Sequence, residues 1–405
     1  LYLQGIRFPR CPIQGSNMNR KTGSYKSWKV AGETIEAFIP VALPPKNPPL
    51  SIDGNLAEKL QVASSALGRL QTASAMVPSP NWFLYGYVRK EAVVSSQIEG
   101  TESTLEDVVV FELNRQAKDV ADVTEVCNYI DALNYARDQM NSPSGLPICT
   151  RLICNVHERL MRGSRGQDKQ PGRIRTSQNW IGGTRPGNAK FVPPPPEVVP
   201  ELLASLDKWI HSSDRLPPLI KIGLAHVLIE TIHPFLDGNG RVGRLLITLL
   251  TEFWKLLDGP YLYLSLGFKR HRPEYYRALD AVRTKGDWEA WLDFYLDCAI
   301  ESAEDGTDTA KRLFKLVNDD RRKFAESKHA NLAALRLLEK LPEQPMITAL
   351  KTAQMLQCAK PTAIKAIESL EQANVLVEIT GKLRDRIYAY RKYLDVLSQD
   401  TLPIA

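Results

Sequence analysis

The chain has 405 residues, 43 % hydrophobic and 24 % charged, the make-up of a soluble globular protein with room for two or three domains. A formal net charge of +6 permits nucleic-acid contact without requiring it. No apolar run reaches membrane-spanning length and no signal peptide is evident, so a membrane span is excluded and a cytoplasmic protein is expected.

In chain order, the opening LYLQG reads as a protease-site or cloning remnant and Met18 as a native start, making residues 1–23 a leader. The proline-rich Val41 to Leu50 reads as an extended surface strap. Ser95 and Glu99 lie four apart on one face of a helix placed at about 88–100, and Gly100 ends it or lets backbone approach. By themselves these residues describe a helix C-terminus with an exposed glutamate. Pro171 to Val199 is punctuated by Gly and Pro, with Ile174, Trp180, Ile181, Phe191 and Val192 supplying short β-like pieces; loops this long are often functional. His226 is expected to pack between helices. The six cysteines, at 11, 127, 149, 154, 298 and 358, form no C-x-x-C pair and accompany no histidine cluster, so reduced thiols are expected.

The densest chemistry lies in HPFLDGNGRVGR, His233 to Arg244. A Gly-Asn-Gly turn has little bulk and reaches positive φ, so successive N–H groups can converge on an anion. The following residues put Leu245, Leu249, Phe253 and Leu257 in one row and Leu246, Leu250 and Trp254 in the next, which predicts a largely buried helix. The turn then sits at a helix N-terminus, where free amides and the dipole favour phosphate. Arg241 and Arg244 share roughly one face of the first turn, where arginine is disfavoured unless an anion offsets the cost. Asp237 is a lone carboxylate of the kind that holds Mg²⁺ together with phosphate oxygens and water. His233 is placed to deprotonate a hydroxyl near neutral pH, and Phe235 to anchor the loop in the core. Positioning and charge neutralisation dominate phosphoryl and nucleotidyl transfer, and these parts suit it.

The segment resembles the signature of the Fic family, H-x-F-x-[D/E]-G-N-G-R-x-x-R, matching at every specified position, with similarity over roughly residues 80 to 300. The resemblance implies a mainly α, Fic-type helical core with a β-hairpin flap, and transfer of AMP from ATP to Ser, Thr or Tyr hydroxyls of proteins, the enzyme itself included. It implies His233 as base, Asp237 on Mg²⁺, Gly238, Asn239 and Gly240 under the α- and β-phosphates with Arg241 assisting, Val242 and Gly243 in the same first turn, and Arg244 on the γ-phosphate. Ser95, Glu99 and Gly100 resemble the family's inhibitory motif [S/T]-x-x-x-E-[G/N]; Glu99 would occupy the γ-phosphate's seat by a bidentate bond to Arg244. Residues 174–192 resemble the flap, with Ile181, Gly182, Gly183 and Thr184 aligned to residues that also touch nucleotide. Tyr276 either lies near the adenosine or is an ordinary amphipathic-helix aromatic.

Beyond Glu301 a polar stretch leads into a helical one, then helices at Ala330–Leu341, Thr348–Leu356 and Lys360–Gln372 and strands at Val375–Thr380 and Arg386–Tyr390. This order resembles a winged helix-turn-helix, with Lys360 and Lys365 on the recognition helix and Lys382, Arg384 and Arg386 on the wing, a basic set compatible with DNA although such modules also bind proteins. The expected organisation is a leader (1–23), an N-terminal region with the inhibitory helix (24–119), a catalytic core (120–304), and a linker helix with the winged helix domain (305–405). A homodimer is expected. Two alternatives stay open: a DNA-binding regulator whose Fic core senses nucleotide, and an enzyme that removes AMP.

Overall fold

The computed structural model describes residues 20–30, 33–76, 79 and 81–403; most of the expected leader, with Met18 and Cys11, lies outside them. Alternation of large and polar residues in GSYKSWKV and ETIEAFIP produces an antiparallel hairpin, β1 (Gly23–Val30) and β2 (Glu33–Pro40), in register from Gly23 opposite Pro40 to Val30 opposite Glu33. Sequence reading missed this hairpin. Its second strand continues onto the long loop, Phe38 N–H donating to the Val192 carbonyl at 3.0 Å, while Ile35, Ala37 and Val192 form a small apolar cluster.

Helices follow: α1 (Gly54–Ala75), α2 (Asn81–Ile98), α3 (Leu105–Asn114), α4 (Val120–Asn141), α5 (Thr150–Leu160), α6 (Val199–Ile210), α7 (Pro218–Ile232), α8 (Asn239–Phe253), α9 (Ser265–Arg270), α10 (Arg272–Lys285) and α11 (Trp288–Ala325). Their order and burial give a mainly α chain, as expected. α7 is apolar on every side and buried on every side, and α8 is buried over almost its whole length. Leu245, Leu246, Leu249 and Leu250 are each at most 2 % exposed, and burying one such side chain contributes about 1.5–3 kcal/mol. This pair is the rigid base of the site, because the signature loop is the connection between its two helices. α8 stops at Phe253, where Lys255 takes a left-handed φ of 58°; Leu257 is buried beyond the helix rather than in its row.

The 38-residue α11 packs against α1 and runs unbroken through residues 304 and 305, so the polar stretch after Glu301 lies inside a helix. α12 (Leu332–Lys340), β3 (Met346–Ile347), α13 (Ala349–Leu356), α14 (Lys360–Gln372), β4 (Val377–Glu378), β5 (Tyr388–Ala389) and α15 (Arg391–Leu397) complete the chain. The three short strands form one antiparallel sheet in the order β3-β5-β4. β4 and β5 are only two residues each; one further backbone bond, Ile379 N–H to Ile387 O at 3.0 Å, continues their ladder before the exposed residues 381–386. α15 returns to α2: Leu397 lies where Gly86 leaves no room for a Cβ, and the Tyr393 hydroxyl donates to Trp82 O.

Candidate active site

His233 caps α7 in the left-handed region at φ 50°, and this turn swings its ring out of the helix. Nδ1 lies 3.3 Å from the Glu230 carbonyl, so Nδ1–H donates there and Nε2 is left to accept. Burial pushes the imidazole down to about 4, with the Arg175 cation adding to the effect, so the ring is neutral at physiological pH.

The rest of the loop is held by side chains that sequence reading assigned otherwise or missed. Asn239, expected beneath phosphate, turns its amide inward: Oδ1 accepts from Phe235 N–H at 2.9 Å and Nδ2 donates to Phe235 O at 2.8 Å. Phe235 is fully buried and stacks on His157, centroids 3.8 Å apart, as the expected anchor. His157 Nε2 meets the Asp237 carbonyl at 3.0 Å, and Nδ1 accepts from Gly172 N–H. Gly238 caps α8 at φ 75° with no side-chain cap. The amides of Asn239, Gly240 and Arg241 precede the first internal bond, Val242 N–H to Gly238 O, so the helix start presents uncapped donors.

The two signature arginines point to different partners. Arg241, 3 % exposed, is ion-paired with Glu125 of α4 at 3.0 Å and is not an open phosphate ligand. Arg244, 2 % exposed, reaches α2: Nε donates to Ser95 Oγ at 2.9 Å, and Nη2 donates to Ser95 O at 3.0 Å and to Glu99 Oε1 at 2.6 Å. The Glu99 contact is thus a single bond with serine completing the grip, not a bidentate one, because Glu99 stands just past the end of α2. A Cβ on Gly240 would clash with Glu99 Oε1, which puts the carboxylate directly over the first turn of α8. Burial pushes Glu99 up, but Arg244, with Arg241 and His233 behind it, holds its carboxyl below the usual range. Gly100 takes φ 101°, a conformation other residues resist, and turns the chain away after Glu99. Glu230 completes the wall, its Oε1 buried without a protein partner over Gly243 and its carboxyl pushed up by burial to about 7.

The flap is slighter than expected. Between residues 174 and 192 one bridge, Ile181 to Phe191, closes a loop that carries a 3₁₀ turn at Pro186–Asn188. Gly182 and Gly183 at positive φ and the prolines from 193 to 196 stop the ladder from extending. Trp180, Ile181, Gly182, Gly183 and Thr184 are exposed. Tyr276, 44 % exposed on α10, lies within the electrostatic reach of Glu99 and Arg244; its neighbour Tyr275 is buried and bonds His226 Nε2 at 2.9 Å. His226 stacks among Phe268, Tyr275 and Trp291, the packing role expected of it. Asp237 is exposed beside the loop, with Oδ1 accepting from Gly238 N–H at 2.6 Å. Among the described residues no group of three or more His, Cys, Asp or Glu could hold a metal by itself. No helix of the described residues is long and apolar enough to cross a membrane.

A helical core carrying a loop with uncapped amides between two buried helices, with a carboxylate lodged over it, defines the class of protein. Comparison with known families specifies it: the Fic/DOC family model matches residues 147–251 and the Fic/DOC family N-terminal model residues 57–138, so the chain carries a Fic domain behind the family's N-terminal domain. It is 36 % identical over 128 residues to the probable protein adenylyltransferase aq_aa38 of Aquifex aeolicus, covering 32 % of this chain and 35 % of that one. It is 30 % identical over 211 residues to the protein adenylyltransferase Fic of Drosophila grimshawi, covering 51 % and 40 %. The chain therefore spans well under half the length of these curated relatives. Among solved structures, a Fic family protein from Desulfovibrio desulfuricans G20 shares the fold at 21 % identity and TM-score 0.56, covering 84 % of this chain and 97 % of its own.

Proposed function

We propose that this chain is a protein adenylyltransferase that moves AMP from ATP to Ser, Thr or Tyr hydroxyls of target proteins, itself included, and is held in check by Glu99. The observation that carries this reading is the meeting of uncapped amides, a buried guanidinium and an open imidazole nitrogen at the N-terminus of α8. Amides at Asn239, Gly240 and Arg241 would receive the α- and β-phosphates, with Gly238 and Gly243 keeping the cradle free of bulk and Val242 behind it. Arg244 would take the γ-phosphate once Glu99 withdraws, and Ile181 to Thr184 and Tyr276 would bracket the nucleoside. His233 Nε2 then accepts the proton of the incoming hydroxyl; that oxygen bonds to the α-phosphorus as the bond to the bridging oxygen breaks and pyrophosphate leaves.

Asp237 fits Mg²⁺ by its chemistry: a hard, exposed carboxylate oxygen beside an anion cradle, for an ion that draws its other ligands from phosphates and water. When bound, that ion neutralises phosphate charge. Incubation with α-labelled ATP and Mg²⁺ tests the reading. Glu99→Gly should label strongly and the Glu99→Gly/His233→Ala double variant not at all. Absence of label from every sample would refute transfer, and label unaffected by His233→Ala would favour a nucleotide sensor. Net loss of AMP from a modified protein would favour AMP removal.

The C-terminal succession of α12, α13, α14 and the β3-β5-β4 sheet supports a winged helix-turn-helix, and Lys360, Lys365, Lys382, Arg384 and Arg386 all stand exposed on α14 and the 381–386 loop. Duplex DNA is the ligand this basic set suits, in a cytoplasmic homodimer. A polarisation titration without salt-dependent binding would remove DNA from the proposal.

A further inference from the structure

Arg175 is among the largest fully buried side chains, 1 % exposed, and every hydrogen-bond acceptor of its guanidinium among the described residues is a backbone carbonyl. Nε donates to His233 O at 2.8 Å, Nη2 to Pro194 O at 2.5 Å and Ile232 O at 3.4 Å, and Nη1 to Ser177 O at 3.3 Å. Its own amide donates to Pro234 O at 2.9 Å. Two of these acceptors flank the flap from opposite sides, Ser177 on its first leg and Pro194 two residues past the end of its second. The other three lie at the C-terminus of α7 and the start of the signature loop. Burying a cation among neutral dipoles is expensive, and such groups are retained only when every donor is satisfied. The carboxylate that acts on Arg175 through space is Glu197, which is exposed and bound to Lys26. Burial lowers the guanidinium to about 10, so it keeps its charge at neutral pH.

We infer that Arg175 is a positioning residue that bolts both legs of the flap to the catalytic loop, so that flap and His233 keep one fixed relation and a hydroxyl presented by the flap falls at Nε2. The inference rests on the adenylyltransferase reading for its consequence but not for its geometry. A planar fork with five donors can span four carbonyls on two segments, whereas an ammonium offers three donors from one point. The flap has almost no ladder of its own, so its legs take their place from side chains: Arg175 acts with Gln178, whose Nε2 donates to Pro193 O at 2.9 Å, and Asn179, whose Nδ2 donates to Phe235 O at 3.0 Å, but Arg175 alone joins both legs to the signature loop at once. Arg175 also stands as the cation behind the imidazole. The other charges acting on His233 are Glu99 at the end of α2 and Asp237 in its own loop, and the Glu230 backbone carbonyl holds Nδ1 from α7.

The test uses the full chain with Glu99→Gly, alone and combined with Arg175→Lys or Arg175→Met. Three quantities are followed: single-turnover labelling at saturating ATP with ATP affinity, hydrogen exchange across residues 176–194, and the His233 titration by NMR, assigned with His233→Ala. Misplacement of reacting groups by about 1 Å costs about 100-fold, so Arg175→Met should slow labelling about 10–100-fold with ATP affinity changed less than about 3-fold. Flap exchange should rise at least about 10-fold, which is the readout of a bolt removed. The His233 titration should move to higher pH in the Met variant, where the neighbouring cation is gone, and stay in place in the Lys variant, where charge remains. If Arg175→Met is too unstable to study, Arg175→Lys carries the test: faster flap exchange with an unmoved titration. Unchanged flap exchange in both variants overturns the inference, as does a loss of ATP affinity equal to the loss of rate. If Glu99→Gly itself does not label, the adenylyltransferase reading fails, while exchange and titration still decide the role of Arg175.

Discussion

Removing Glu99 is the sharpest perturbation this structure offers. Its carboxylate bonds Arg244 at 2.6 Å, the arginine side chain 1 % exposed and the glutamate side chain 36 %. A hydrogen bond between charged partners contributes about 1.5–3 kcal/mol, and the solvent reaching Glu99 draws this pair toward the lower part of that range. About 2 kcal/mol of competition against the γ-phosphate corresponds to about 30-fold in ATP affinity. Glu99→Gly should therefore tighten ATP binding by about that factor and raise self-labelling at low ATP at least as much, because the triphosphate also gains its productive pose. Calorimetry with a non-hydrolysable ATP analogue and a time course with α-labelled ATP and Mg²⁺ read the two effects. Arg244 holds Glu99 below the usual carboxylate range against the upward push of burial. The pair is thus fully formed above that range and lost only as pH falls through the lowered value, so the pair itself adds no slope to the ratio of variant to wild type from about pH 6 to pH 9, and a slope near pH 7 belongs to Glu230, which titrates there beside it. Equal affinity and equal labelling in the two proteins, with the variant folded, would refute the brake.

Other changes probe the same site and its support. Ser95→Ala removes the acceptor at Arg244 Nε and should weaken the brake by about 1 kcal/mol, or about 5-fold in basal labelling; no rise would show that Glu99 acts without it. Asn239→Asp keeps the shape but sets a carboxylate oxygen against the Phe235 carbonyl in place of a donor. It should cost about 1–3 kcal/mol of stability, with labelling falling more than the melting temperature alone explains; a wild-type melt and rate would deny the loop-fixing role. Glu91, 3 % exposed, is pushed up to about 7 by burial, although the Ser265 hydroxyl and amide and the Tyr129 hydroxyl bond it. The folded state therefore binds this proton more tightly than the unfolded chain, and stability present below the ordinary carboxylate range is lost as pH rises through 7. The share of Glu91 in the decline read by denaturant titrations should be up to about 3 kcal/mol between about pH 5 and pH 8, lost in Glu91→Gln while the share of Glu230 remains; an identical slope in the variant would place the titration elsewhere.

Local rules carried far into this molecule. The Gly-Asn-Gly turn, the buried helix after it and the C-terminal helices all follow from spacing of three to four residues and from where glycine and proline fall, whereas the helix expected at about 88–100 runs from Asn81 to Ile98 and leaves Glu99 beyond the face that Ser95 occupies. The helix start with its uncapped amides was legible for the same reason: free N–H groups at a helix N-terminus are a property of the backbone. Tertiary packing decided what those local rules cannot reach. Arg241 faces Glu125 because buried polar groups seek the nearest partner, and a partner 116 residues away in sequence leaves no periodic trace; Asn239 turns inward to Phe235, four residues back, because the folded loop buries its amide. Arg175 and His157, which hold the loop from outside the signature, gave no pattern at all. The flap shrank to one bridge and the β1–β2 hairpin took up its edge, a pairing of segments far apart in the chain. Sequence fixes what a short stretch can become; only the folded chain decides which distant carbonyl or carboxylate a buried donor will meet, because satisfying that donor is a condition on the whole interior.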